Sequence, residues 1–414
     1  MMQIMQEVAG MDEDCIKHNI EGWAYGCLLG AVFASGFSMP VGRTLFVICL
    51  VLLLTHLFKV RKALVLSSLF WFWLLFVAVA FLATAMGVDP ATGFSKIQKL
   101  AWFIGIPVCA TLVTSFQRLS SVLGAYAIGT GVEALRTIIM NPIHAARMVK
   151  AGKLPDFMSA LINEGSMTYA QILMLGIVIV LGFIFIRRHE QRPAIGWWIL
   201  LLLQTVALIM MFKRGSWVCT CLLVTVFLAL KTNWKYLVVL ILVVMASFAL
   251  PPVRARVAGL KNEFNSDSGG RMTMWLKITP ALFKEHPWLG IGYRVLTPEM
   301  MQKIDRNVER NRNHLHSNIA QVLVDMGITG LVIYLLWMGK AMFDAGSILK
   351  CSAKSEFQES TLSIVLILLI VGLFANGLVE YNFGDAEIVL AYGLVMGCIG
   401  AMRNVMLQRA SLTR

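Results

Sequence analysis

Two histidines one residue apart, His314 and His316, stand where the polar segment Asn313-His314-Leu315-His316-Ser317-Asn318 runs into an apolar stretch carrying Gly327 and Gly330. Histidine titrates near neutrality, so it can take a proton from a hydroxyl while that oxygen attacks. Basic residues recur at comparable junctions: Lys213-Arg214 precedes one apolar run, and Arg271 follows Gly270. Guanidinium groups pair with phosphate through two parallel N–H donors. Together these residue types point to chemistry on an anionic, phosphate-bearing compound.

The elements that must position them are set by composition. Hydrophobic residues make up 58% of the 414 and charged residues 14%, a balance that no soluble domain of this length shows. The chain reads as an all-α polytopic membrane protein. A net charge of +13 invites a nucleic-acid reading, but in a membrane protein it reflects Lys and Arg in cytoplasmic loops. Membrane lipids are predicted partners and nucleic acid is not. The first twenty residues are polar, carry Asp12, Glu13 and Asp14, and predict no cleavable leader.

A crossing needs ~17–25 apolar residues. By that measure about twelve spans are expected, near 22–38, 41–58, 64–86, 100–114, 119–140, 168–186, 194–212, 216–230, 236–250, 319–340, 362–378 and 386–402. The organisation is then residues 1–250 with nine spans, 251–317 as one large loop, and 318–414 with three spans. With both termini cytoplasmic, Lys59, Arg61, Lys62, Arg118, Arg187, Arg188, Arg192, Lys231, Lys235, Lys350, Lys354, Arg403, Arg409 and Arg414 share one face, as the positive-inside rule requires. Lys213-Arg214 and the 251–317 loop fall on the other, external face. The pair there either snorkels to headgroups or binds a ligand. No cysteine falls in an external loop, so no disulfide framework is expected.

Within the loop, Met272, Trp275, Leu276, Thr279, Leu282 and Phe283 recur at helical spacing and predict an amphipathic helix lying on the outer leaflet. The spans near 216–230 and 319–340 both open externally, so their N-termini present unsatisfied N–H groups and a partial positive charge. Arg214 and His316 stand just before these two starts, Arg271 begins the loop helix, and Asn318 and Gln321 have capping-box spacing. His316 either caps its helix or acts as a base, and His314 either orients an acceptor or packs locally. Arg294, Arg306, Arg310 and Arg312 read as a solvated or lipid-phosphate-facing surface, the last three also suited to collecting an anionic oligosaccharide. Glu380, Asp385 and Glu387 read as solvated acids at a helix end, with binding of sugar hydroxyls or a role as an alternative base as the other readings. Glu133 and Arg136, three apart on one helix, are expected to pair. Asp325 is expected to orient a neighbouring helix or a basic partner, and the two glycines at 327 and 330 to allow close helix packing.

A family resemblance rests on these same residues. His316-Ser317, nine residues, then Gly327-Ile328-Thr329-Gly330 resembles the histidine motif of bacterial O-antigen ligases, and His314-Leu315-His316 the form found in enterobacterial members. Gly270-Arg271-Met272-Thr273-Met274-Trp275 with Phe283 and Pro287 is similar to the arginine segment of their periplasmic loop, and Arg214-Gly215-Ser216-Trp217 to the arginine turn of the wider superfamily. One departure is Val218, where some ligases have Leu, a conservative apolar change.

The resemblance implies a GT-C-like membrane fold in the bacterial inner membrane with its active site on the periplasmic face. The implied reaction is an inverting glycosyl transfer that uses no metal and no other cofactor. Its donor is O-antigen on undecaprenyl diphosphate, and its acceptor a sugar hydroxyl of lipid A-core. His316 carries over as the essential histidine, Arg214 and Arg271 as the arginines at the donor diphosphate, and Arg256 less securely as a third; His314 and Lys213 are secondary candidates. An O-antigen polymerase or a protein-directed oligosaccharyltransferase would use the same chemistry on another acceptor. A lipid-linked-sugar flippase is a more distant alternative, because internal repeats and charges through a central cavity are not found in the sequence.

Overall fold

The computed structural model describes residues 2–231, 235–249, 251–258, 265–309, 312–352 and 356–412, with side chains from 19 to 411 except at part of 235–258. Among these residues every regular element is helical. The first half holds α1 (Met2–Ser35), α2 (Met39–Val60), α3 (Ser68–Ala85), α4 (Pro90–Ile97), a 3₁₀ stretch (Gln98–Ile104), α5 (Gly105–Leu112), α6 (Phe116–Lys150), α7 (Phe157–Glu164), α8 (Met167–His189) and α9 (Ile195–Met210). Then come α10 (Arg214–Lys231), α11 (Lys235–Ser247), α12 (Pro251–Ala258), α13 (271–285), α14 (Pro298–Ile304), α15 (Asn318–Ser352), α16 (Phe357–Val379) and α17 (Ala386–Leu412).

Among the described residues eight helices are long and apolar enough to cross a membrane: α2, α3, α6, α8, α10, α15, α16 and α17. Four of the expected spans are not among these eight. Residues 22–38 close α1, whose first half is polar. Residues 100–114 divide between the 3₁₀ stretch and the eight-residue α5. Helix α9 has 16 residues, roughly 24 Å at ~1.5 Å per residue against a hydrocarbon core of ~30 Å, and the expected span at 236–250 holds α11 and runs to a residue outside the described ones.

Helices α8 and α17 form the centre, with 89% and 83% of their apolar windows buried, whereas α2 shows 28%. The outer helices expose Phe58, Trp71, Leu202 and Val218, as helices facing hydrocarbon do. One end of the bundle gathers basic residues expected on a common face. There Arg118 pairs with Glu21 at 2.8 Å, Arg409 grips Glu359 at 2.8 and 2.9 Å, and Lys231 reaches Ser360 at 3.2 Å. The buried Glu133 takes two 2.7 Å bonds from Arg136, the pairing that their spacing predicts.

At the opposite end the 265–317 segment packs around a core of its own. Met274, Ile278 and Leu282 line one face of α13 and meet Ile291, Val295, Leu296, Met301, Val308 and Leu315, together with Ala320 and Val324 of α15. The buried stripe therefore differs from the expected one: Leu276 is exposed, and Met274 and Ile278 take the inward places. A π-turn at Met274–Ile278 shifts the register. It ends two residues before Pro280, which has no N–H to donate, and the Thr279 hydroxyl donates to the Met274 carbonyl at 2.9 Å.

Helix α15 is broken near its start. Gly327 has φ 63° and ψ −163°, a conformation open only to glycine. The break frees the carbonyls of Val324 and Asp325, which accept from Ile291 N at 2.9 Å and Gly292 N at 3.0 Å. It equally frees the N–H groups of Ile328 and Thr329, which donate to the carbonyls of Pro287 at 2.9 Å and Trp288 at 3.4 Å. All four groups that an unbroken helix would pair internally are satisfied by the 287–292 turn. The glycine thus couples the loop to the helix, beyond the close packing expected of it.

Candidate active site

His316 sits at the bundle end where α15 begins, α16 ends and α13 starts. Its ring is buried, at 8% exposure, and its backbone is left-handed at φ 50°, a strained conformation for a residue with a Cβ. Ring Nδ1 lies 3.1 Å from Glu380 Oε2, and Nε2 lies 2.8 Å from Arg312 Nη1. A guanidinium only donates and an ionised carboxylate only accepts. The two neighbours therefore agree on one neutral form, with the proton on Nδ1 and the lone pair on Nε2.

Arg271, the first residue of α13, hydrogen-bonds the other oxygen of the same carboxylate, Glu380 Oε1. Glu380 caps the C-terminus of α16 and is buried, at 4% exposure. Its position is held from the start of α15. Asn318 Nδ2 donates to Asn382 Oδ1 at 2.6 Å, and Asn318 Oδ1 accepts from the Asn382 backbone at 3.0 Å. Gly377 permits this approach, because a Cβ there would lie 2.4 Å from Asn318 Nδ2.

Helix α10 starts beside the same turn. Gly215, next to Arg214, faces Val379, next to Glu380, with 3.2 Å to a built Cβ. Asn376 Nδ2 donates to Ser216 Oγ at 3.4 Å. Arg214 and the preceding Lys213 are both half-buried. Arg256 lies in α12, and its side chain falls outside the described residues, as does all of Arg310.

The His314 ring lies tilted beside His316, with ring centroids 4.3 Å apart, and near Tyr381 at 6.0 Å. Burial, followed by His316, Arg294, Arg312 and Arg271, pushes its ionisation down to about 3. It therefore stays neutral at physiological pH. Its Nδ1 meets Asn313 Oδ1 at 2.8 Å.

Several expectations change at this point. Glu380 is a buried hub rather than a solvated acid, and Asp385 is half-buried, accepting from Thr168 at 2.6 Å. Arg294 is not a solvated charge. It donates to the Gly384 carbonyl at 3.0 Å and lies over the Tyr381 ring at 5.5 Å. Arg312 is tied to His316, whereas Arg306 is exposed as predicted. Asp325 anchors the loop: it accepts from Gln321 at 2.8 Å and from the Arg294 backbone at 3.0 Å. The expected capping box is built differently. Ser317 Oγ caps Ala320 N at 3.4 Å, while Gln321 Oε1 reaches back to Leu315 N at 2.9 Å.

This bracketed imidazole, with arginine-led helix starts around it, lies largely in one segment of known kind. Residues 199–335 match the family model described as O-antigen ligase. That segment of the chain is similar to the O-antigen ligase family. No curated protein matches it. The matched segment contains Arg214, Arg271, His314 and His316 but stops short of Glu380. That carboxylate was legible in the sequence only as one acid among three between the last two spans.

Proposed function

We propose that this protein is an O-antigen ligase working on the periplasmic face of the bacterial inner membrane. It moves O-antigen polysaccharide from undecaprenyl diphosphate to a sugar hydroxyl of lipid A-core. The observation that carries the reading is the His316 ring held between an acceptor and a donor, beside an arginine on the same carboxylate.

In this reading the acceptor hydroxyl oxygen attacks the anomeric carbon and its proton passes to His316 Nε2. The bond from that carbon to the diphosphate oxygen breaks, the electron pair leaves with the lipid diphosphate, and the configuration inverts. Arg312 donates to Nε2 in the structure, so it must swing aside for the hydroxyl to enter. Arg271 exchanges Glu380 for the diphosphate, joined by Arg214 and Arg256 from two further helices. Charge gathers on the leaving diphosphate in the transition state, and a fixed donor placed there contributes ~3 kcal/mol. His314, neutral beside His316, is placed to orient the acceptor sugar, and Lys213 adds positive charge at the start of α10.

The test is reconstitution of the purified protein with lipid-linked O-antigen and lipid A-core. His316→Ala is expected to lose on the order of 10²–10⁴ in rate, and Arg271→Ala on the order of 10²–10³. Wild-type rates in both folded variants would discard the site. Transfer only to a protein, or only to another lipid-linked O-antigen unit, would replace the ligase reading with the protein-directed or polymerase one.

A further inference from the structure

From the geometry we infer that Glu380 is a positioning residue for this transfer, coupling the base to the donor-binding arginine. The inference rests on the ligase reading above. One carboxylate serves two partners: Oε2 faces His316 Nδ1 at 3.1 Å, and Oε1 takes the Arg271 guanidinium. Both His316 and Glu380 are buried, with side chains 10% and 5% exposed, so water does not compete effectively for these bonds.

Two consequences follow from sharing one anion. The first concerns the proton. A carboxylate on Nδ1 holds the ring in the tautomer whose Nε2 lone pair can accept, and it stabilises the imidazolium that forms as the hydroxyl proton arrives. Arg312 enforces the same tautomer at rest, but it must leave before the acceptor enters, and Glu380 then keeps the ring oriented. The second concerns the order of events. While Arg271 sits on Oε1, the carboxylate's charge is largely neutralised. A diphosphate that draws Arg271 away leaves that charge wholly to His316. Donor binding thereby strengthens the base only when a sugar is present to receive the nucleophile.

The arrangement is held by structure rather than by chance contact. Glu380 closes α16 through its own N–H to Asn376 O at 3.0 Å, and the paired Asn318 and Asn382 fix the following turn against the helix that His316 leads. Arg271 arrives from an independent element, α13, whose buried Met274, Ile278 and Leu282 anchor it in the loop core.

The experiment compares Glu380→Gln, Glu380→Asp and, as a remote control, the exposed Glu299→Gln in the reconstituted assay, with thermal midpoints measured on each. Glu380→Gln is expected to lower kcat on the order of 10²–10⁴-fold, as loss of the orienting carboxylate does in a Ser-His-Asp triad. Its KM for the lipid-linked donor should stay level or fall, because Arg271 no longer has to leave a carboxylate. Glu380→Asp keeps the charge and should recover at least tenfold of that loss. Glu299→Gln should match the wild type. A role in folding alone would move the midpoint and both kinetic constants without this split. A stable Glu380→Gln enzyme with kcat within threefold of wild type, alongside an inactive His316→Ala, overturns the inference and leaves the ligase reading standing. Full activity of His316→Ala overturns the reading beneath it.

Discussion

Replacing Gly327 by alanine tests whether the broken helix is what docks the loop carrying the site. A Cβ at 327 would lie 2.3 Å from Trp288 C and 2.4 Å from Trp288 O. Both are backbone atoms, so no side-chain rotation relieves the contact. The φ of 63° with ψ of −163° adds about 1–3 kcal/mol for any residue with a Cβ. The variant's cheapest escape is to let α15 run straight, which restores the internal bonds of Ile328 and Thr329 but strips the 287–292 turn of its four partners. Each such bond contributes about 0.5–1.5 kcal/mol net, so docking of the loop weakens by roughly 2–6 kcal/mol. Gly339 lies on the same helix with nothing within 4 Å of a built Cβ. Alanine there is expected to stabilise the helix by up to about 1 kcal/mol. The assay is the thermal midpoint of each purified variant together with limited proteolysis of the 265–317 segment. Gly327→Ala should expose that segment to cleavage and lower the midpoint, and Gly339→Ala should do neither. Wild-type protection in a folded Gly327→Ala protein would refute the account of the break.

Three further outcomes are expected. Arg312→Gln removes the cation from His316 Nε2 and should lower the acceptor KM several-fold in the ligation assay; a rise of tenfold or more would mean that Arg312 holds the acceptor instead. His314 is pushed down to about 3 in the fold against about 6.5 when unfolded, so the unfolded chain binds the extra proton between those values. Stability is then complete above about pH 6.5 and lost as pH falls toward 3, by up to about 2 kcal/mol at pH 5. The midpoint of His314→Gln should drop less than that of the wild type between pH 7 and pH 5, and equal drops would contradict the burial argument. Ligation should persist in excess EDTA, since arginines are assigned to the diphosphate, and loss restored by a divalent ion would reverse that assignment.

What the sequence determined by itself is the part of this protein written in local chemistry. Apolar runs of membrane length need their backbone groups paired within one segment, and so they fold as helices; α2, α3, α6, α8, α10, α15, α16 and α17 lie where such runs were read. Arginine or histidine ahead of an apolar run likewise marked the starts of α10, α13 and α15, because helix ends are local events. Hydropathy records apolar content and not where a helix changes form, so the run read at 100–114 gave no sign of its division between a 3₁₀ stretch and the eight-residue α5. Tertiary structure alone decided what Glu380, Arg294 and Arg312 do. Read singly, each is a charge near a helix end, for which solvation is the cheaper state. Glu380 is buried only because α13 and α15 bring Arg271 and His316, 109 and 64 positions away, to its two oxygens. Gly327 was visible as a spacing, but its break has meaning only with the 287–292 turn present to take the four freed backbone groups. Burial of a charge or of an unpaired carbonyl is unfavourable until its partner arrives, and those partners come from distant elements that local patterning does not bring together.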